Sequence, residues 1–226
     1  MNSPLIRDSF FHVLASYNDA VWPMPLAALG AAIAVAALTT THAAWRGRAA
    51  AALLAALWAW MGGVFHASYL STIDPAAPWF GAACMLGSAT FAWYGVRHDA
   101  LRFDDTVNFA RGPRRIANIV GWALVIVALF VYPMIGVAMG QHFPASASFG
   151  TPGPTTIYTI GLLVLASPML PRVLWVAPLL WVVPGTLSAF ALGLPQDLLL
   201  PVAAAMGLWV TGRAASVPPH SASAKL

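Results

Sequence analysis

The sequence predicts an all-α fold: a polytopic membrane bundle of seven transmembrane helices, with the N-terminus outside and the C-terminus cytoplasmic. Three observations predict it. Of the 226 residues, 60% are hydrophobic and 8% are charged, against about 25% charged in soluble domains, so a water-facing surface cannot be assembled from this supply. Apolar runs near the ~20 residues that cross a bilayer core as helix recur seven times along the chain. Basic residues collect in alternate connections between those runs, following the positive-inside bias.

The elements follow in chain order. MNSPLIRDSFFHVLASYNDA, residues 1–20, lacks a basic start, and the first long apolar run opens only near Val21, so it does not read as a signal peptide. Ile6, Phe10, Leu14 and Tyr17 share one helical stripe behind Ser3-Pro4, a pair suited to a helix start. The expectation is an amphipathic interfacial helix on the outer membrane surface. Residues 21–212 form the transmembrane domain, with spans at 21–40, 49–70, 77–96, 116–139, 155–170, 173–193 and 198–212. The fifth is short and crowded by Pro168 and Pro171; the sixth carries Pro178 and Pro184. Residues 213–226 read as a disordered cytoplasmic tail.

Arginine sets the orientation. Arg46 and Arg48 follow span one, Arg97, Arg102, Arg111, Arg114 and Arg115 follow span three, and Arg172 follows span five. With Arg213 and Lys225 in the tail, 10 of the 11 basic residues lie on one side, and Arg7 alone on the other. The connection RHDALRFDDTVNFARGPRR reads as a solvated link without chemistry. The segments starting at Leu57 and Leu180 each open Leu-Trp, place glycine four residues after the tryptophan (Gly62, Gly185) and end in aspartate (Asp74, Asp197). Spans one to three and five to seven thus suggest a 3-1-3 parallel repeat about span four, a known transporter design.

SYNDAVWP, LWAWMGGVFHASYLSTIDPAA, VYPMIGVAMGQHFPASASFGTPGPTTIYTIGLLVL and LPQDLLLP together resemble an uncharacterised bacterial multipass family, domain of unknown function 6064. The most specific series is Tyr132, Pro133, Gly140, His142, Pro144, Phe149, Gly150, Pro154, Thr155 and Thr156. Related sequences often have cysteine directly before the Pro-Thr-Thr, where this chain has Gly153. The resemblance implies an integral membrane protein and carries no activity with it.

Unusual polar residues gather on the non-cytoplasmic side. With Gly153 as N-cap and Pro154 opening a helix, the N–H groups of Thr155, Thr156 and Ile157 lack intrahelical acceptors and offer an anion or polar oxygen a place at the positive end of the dipole. Gly62, Gly63, His66 and Tyr69 share a face, and a histidine at membrane depth marks function or is satisfied structurally. Tyr and Trp near span ends also serve as interface anchors. The candidate ligand-binding set is His66, Tyr69, Trp58, Tyr132, His142, Thr155 and Thr156.

Absences narrow the choice. No span holds Lys, Arg, Glu or Asp at its middle, which argues against a proton pump or voltage sensor. No phosphate loop or dinucleotide fingerprint occurs, and scattered arginines build no nucleic-acid face. Lone Cys84 excludes an internal disulfide. The expected function is an inner-membrane protein, embedded in the lipid bilayer, that binds or transports a small neutral or anionic molecule through a site open to the outside, without cofactor or catalytic residues. The alternatives are an intramembrane metal-dependent enzyme, with His66, His142, Asp74 and Asp197 as ligands, and a structural subunit of a membrane complex.

Overall fold

The computed structural model describes residues 4–103, 113–166 and 170–215, and among these every regular element is helical. α1 (Pro4–Ala20) turns through 79° into α2 (Met24–Thr39). α3 (Arg46–Trp60) relaxes into π-helical turns over Met61–Tyr69 and a 3₁₀ turn, Leu70–Thr72. α4 (Ala77–Thr90) likewise ends in π-helix, Phe91–Arg97. α5 (Pro113–Ile126) passes through π turns, Val127–Val131, into α6 (Tyr132–Ala138). Then come α7 (Pro152–Leu165), α8 (Val176–Leu192) and α9 (Leu199–Ala215), the last two entered by 3₁₀ turns at Arg172–Trp175 and Pro195–Leu198.

Among the described residues three continuous helical stretches, Arg46–Thr72, Arg114–Ala138 and Arg172–Leu192, are long and apolar enough to cross a bilayer, and the bent pair α1–α2 makes a fourth when counted as one broken span. Seven such helices were predicted. Part of the difference has a backbone cause: an apolar run does not reveal where the helix breaks. The run opening at Val21 begins with a turn, so α2 keeps 16 residues, and a 3₁₀ turn leaves α9 with 17. Large side chains such as Leu26, Leu86, Phe130, Met134, Val183 and Phe190 stand exposed along the outer faces, compatible with a lipid surround.

α7 is the pillar of the bundle. All of its 14 residues are buried, and at 1.5 Å per residue it is about 21 Å long, short of a ~30 Å hydrocarbon core. Its last six residues, 160–165, are apolar all round, as suits a helix inside a bundle. Tyr158 donates its hydroxyl proton to the Ala32 carbonyl of α2 at 2.8 Å, and Trp58 Nε1 donates to Thr159 Oγ1 at 3.1 Å. At the far end the Arg114 guanidinium donates to the carbonyls of Val164 and Leu165, closing the last turn of α7 with a cation. Arg114 is therefore part of the fold, and the solvated reading of its connection is corrected at three places: Leu101 and Phe103 are buried in the main core too. Asp99 meets Arg48 at 3.7 Å. Asp104, Asp105 and Arg111, like tail residues 216–226, lie outside the described residues.

α1 packs on the bundle through the stripe seen in the sequence. Leu14 and Tyr17 are buried with Phe65, and Tyr17 meets Phe65 and Tyr69 edge-on at 5.2 and 5.4 Å. Asn18 fastens the end of α1 to the connection before α7: its amide donates to the carbonyls of Pro144 and Ser146 at 2.6 and 2.8 Å, and its oxygen accepts from Ser148 at 2.7 Å.

Candidate functional site

Helix α7 starts two residues earlier than the sequence suggested. Thr151 is its N-cap and Pro152, Gly153 and Pro154 form its first turn. Both prolines suit a first turn, so composition alone could not choose between them. The consequence is chemical. The Thr155 N–H is bonded to the Thr151 carbonyl, and Thr156 and Ile157 fall in the second turn, where i−4 acceptors exist. Two of the first three residues have no N–H. The row of free donors predicted for an anion shrinks to that of Gly153.

A carboxylate of the chain itself takes that end of the helix. Asp197, in the 3₁₀ turn before α9, sets Oδ1 2.6 Å from the point where a Cβ on Gly153 would lie. Tyr132, at the start of α6, donates to Asp197 Oδ1 at 2.6 Å, and the Ser188 hydroxyl of α8 lies 3.0 Å from Oδ2, its hydrogen shared with the Gly185 carbonyl at 2.7 Å. Among the described residues no cation pairs with Asp197. Burial pushes its carboxyl up to about 6, even though bonds from Tyr132 and Ser188 favour the charged form.

Above this floor lies a cavity of about 330 Å³. Ile6, Phe10 and Leu14 of α1 roof it; Phe65, Phe80 and Trp181 form aromatic walls; Asp74 and Ile73 belong to its rim connection. Tyr132, Ser188, Asp197 and Gly153 close the bottom. Pro184 lines it from the interior of α8, where its ring removes one helical hydrogen bond and marks a point of easy bending.

The predicted site residues separate into those at the cavity and those elsewhere. Tyr132 is at its floor. His66 is fully buried but not a lining residue; Phe80 and Trp181, which do line the cavity, meet its ring at 6.5 and 5.1 Å. Its Nδ1 lies 2.8 Å from the Met61 carbonyl; a carbonyl only accepts, so Nδ1 is the donor. Nε2 has no hydrogen-bond partner. Gly62 allows Gly81 of α4 to cross close by, since a Cβ there would stand 2.6 Å from the Gly81 oxygen; Gly185 admits Leu200 of α9 in the same manner.

Tyr69 packs against Tyr17. Trp58 is buried in the main core. Thr155 Oγ1 accepts from the Gly150 N–H at 3.2 Å, and Thr156 is buried with its hydroxyl unpartnered. His142 is exposed. The suggested metal set of His66, His142, Asp74 and Asp197 does not assemble: no group of three or more His, Cys, Asp or Glu side chains comes together among the described residues. Asp74 instead accepts from the Ala76 N–H at 2.8 Å in a turn. Sequence reasoning missed Ser188, Trp181 and the role of Asp197. Only the Leu-Trp…Asp pattern pointed near them.

The raised carboxyl makes a stability prediction. A proton is held more tightly folded than unfolded, so Asp197 adds stability below pH ~4, and loses it as pH rises through about 6. The swing is on the order of 3 kcal/mol. Asp197→Asn keeps an acceptor for Tyr132 and should melt higher than wild type at pH 7.5, with that part of the pH dependence gone. Differential scanning fluorimetry in detergent across pH 4–8 measures both, and parallel profiles for the two proteins would contradict the assignment.

A family model described as "Family of unknown function (DUF6064)" matches residues 7–218. No curated protein and no solved structure matches the chain.

Proposed function

The chain belongs to the DUF6064 family of unknown function, and from its own residues we propose a multi-pass protein of the bacterial inner membrane that binds a small, largely apolar molecule in the cavity under α1. Apolar helices long enough to span and the one-sided arginines support the membrane placement. In the same reading the N-terminus and the cavity face the non-cytoplasmic side, and all seven apolar runs lie at membrane depth, the encased α7 among them. Gly62 and Gly185, each admitting the following helix, support the 3-1-3 repeat. The single observation that carries the function is the cavity itself: about 330 Å³, aromatic-walled, with three polar side chains converging at its base. Such a combination of apolar lining and a few convergent polar groups is what small-molecule sites use.

The anionic option in the sequence reading loses its basis, because the carboxylate of Asp197 sits where the anion was to bind. Carriage across the membrane extends the same proposal, with α8 bending at Pro184 to open and close the chamber. The test is a thermal-shift screen of small amphiphilic amines, alcohols and acids in detergent, run beside Leu192→Trp. Leu192 lines the cavity and touches none of the floor hydrogen bonds. A ligand that stabilises wild type by several degrees and leaves Leu192→Trp unshifted is expected. Shifts that persist equally in Leu192→Trp would remove the cavity as the site.

A further inference from the structure

Resting on that reading, we infer that the cavity is selective for organic ammonium ions, its ligand's positive group seated against the Asp197 carboxylate and its apolar body against the aromatic wall.

Four observations converge. Asp197 is 5% exposed, lines the cavity, and has no cationic partner among the described residues. A buried carboxylate without a counter-ion is costly, and a bound cation removes that cost. Among the described residues its oxygens meet only the Tyr132 hydroxyl and the Ser188 hydroxyl, whose single hydrogen is shared with the Gly185 carbonyl, while a carboxylate offers about four acceptor positions; room remains for an ammonium N–H. The wall carries Phe10, Phe65, Phe80, Tyr132 and Trp181, whose ring faces attract cations by their quadrupoles. A metal cation suits the site poorly, because sodium- or calcium-like ions want a shell of oxygens and most of this wall is hydrocarbon.

The charged and titratable groups around Asp197 leave it in control. Tyr132 faces it from α6; Ser188, from α8, does not titrate in water; Gly153 of α7 contributes no side chain. Asp74 on the opposite connection is a second negative group at the wall. Arg7 on α1 stands over the Phe11 ring, 5.6 Å from its centroid, and against Gly193; it makes no ion pair with Asp197. On α9 the one described charge is Arg213, near the other end of that helix. Proton and ammonium ion therefore compete for one carboxylate. Loading the cavity with a cation at neutral pH releases whatever proton Asp197 holds, and protonating it ejects the cation. That is the exchange a proton-coupled cation carrier needs.

Two probes of equal shape separate this inference from the binding reading beneath it: 2-phenylethylammonium and the uncharged 2-phenylethanol, titrated calorimetrically into the full-length detergent-solubilised protein. Wild type should bind the ammonium ion at least tenfold more tightly than the alcohol at pH 7.5. The ammonium affinity should fall about tenfold between pH 7 and pH 5, while the alcohol's stays level. Asp197→Asn should remove both the preference and the pH slope, with alcohol binding retained. If both probes bind wild type equally at every pH, the site stands and the cation preference is overturned. If neither binds, the cavity reading itself fails. Should Asp197→Asn not fold, the wild-type pH profiles for the two probes decide alone.

Discussion

Trp58→Ala should lower unfolding stability by about 3–5 kcal/mol, the usual cost of emptying a buried tryptophan site, without weakening ligand binding in whatever protein remains folded. Trp58 is 1% exposed. Its indole spans three helices: Nε1 bonds Thr159 of α7, its six-membered ring lies 3.3 Å from the Cβ position of Gly87 in α4, and it sits 6.5 Å from Phe91. Alanine leaves a hole among α3, α4 and α7, and α7 is held on every side, so the hole cannot close by one helix sliding inward. The hydrogen bond is the smaller part. Thr159 keeps its own bond to the Thr155 carbonyl at 2.7 Å, so Trp58→Phe should cost only about 1 kcal/mol beyond its change of volume. Denaturant titration of both variants separates the two contributions. Because Trp58 does not line the cavity, probe affinity is the sharper readout of its role. A tenfold loss of affinity in folded Trp58→Phe would return Trp58 to the ligand site that its sequence position suggested.

Local pattern decided what could be read from the chain. The helical class followed from composition. The apolar stripe of α1 followed from spacing, and Ile6, Phe10 and Leu14 on that stripe do roof the cavity. Of the two glycines read beside His66, Gly62 is where α4 crosses at Gly81, while Gly63 faces open space. What escaped was every feature that needs a partner far along the chain. Tyr132 and Asp197 are 65 positions apart, and neither residue's neighbours announce the other. An aspartate two residues after a proline reads as a turn until a tyrosine hydroxyl is found on it. The burial of α7 escaped for a different reason. Lipid and protein both ask for apolar side chains, so a helix surrounded by either carries the same letters, and residues 160–165 hold no polar side chain to tell them apart. The shifted start of α7 was a third kind of miss, with two prolines equally fit for one turn. Its effect was large, since it replaced a proposed anion cradle with a carboxylate.

Gly153→Ala should be the more damaging change at the cavity floor, costing about 3–5 kcal/mol and abolishing ligand binding. A methyl at 153 would lie 2.2 Å from the Tyr132 hydroxyl oxygen and 2.6 Å from Asp197 Oδ1, well inside contact distance. One of the three must move. α7 cannot, because its whole length is encased, and Asp197 is held in the short turn between α8 and α9. Tyr132 is displaced, and with it goes the 2.6 Å bond to the carboxylate. The cost combines overpacking, about 1–3 kcal/mol, with a lost hydrogen bond to a charged group, about 1.5–3 kcal/mol. A double-mutant cycle supplies the control. If the clash with Tyr132 is the cause, Gly153→Ala should cost much less in a Tyr132→Leu background, where the ring and hydroxyl are absent, and the cycle should show a coupling of about 1–3 kcal/mol. Additive losses would mean that the alanine acts by some other route, through the α7 backbone, and that glycine at 153 does not serve the Tyr132–Asp197 pair. Serine at 153 should behave as badly as alanine, since the obstacle is the first carbon, whatever polar atom follows it.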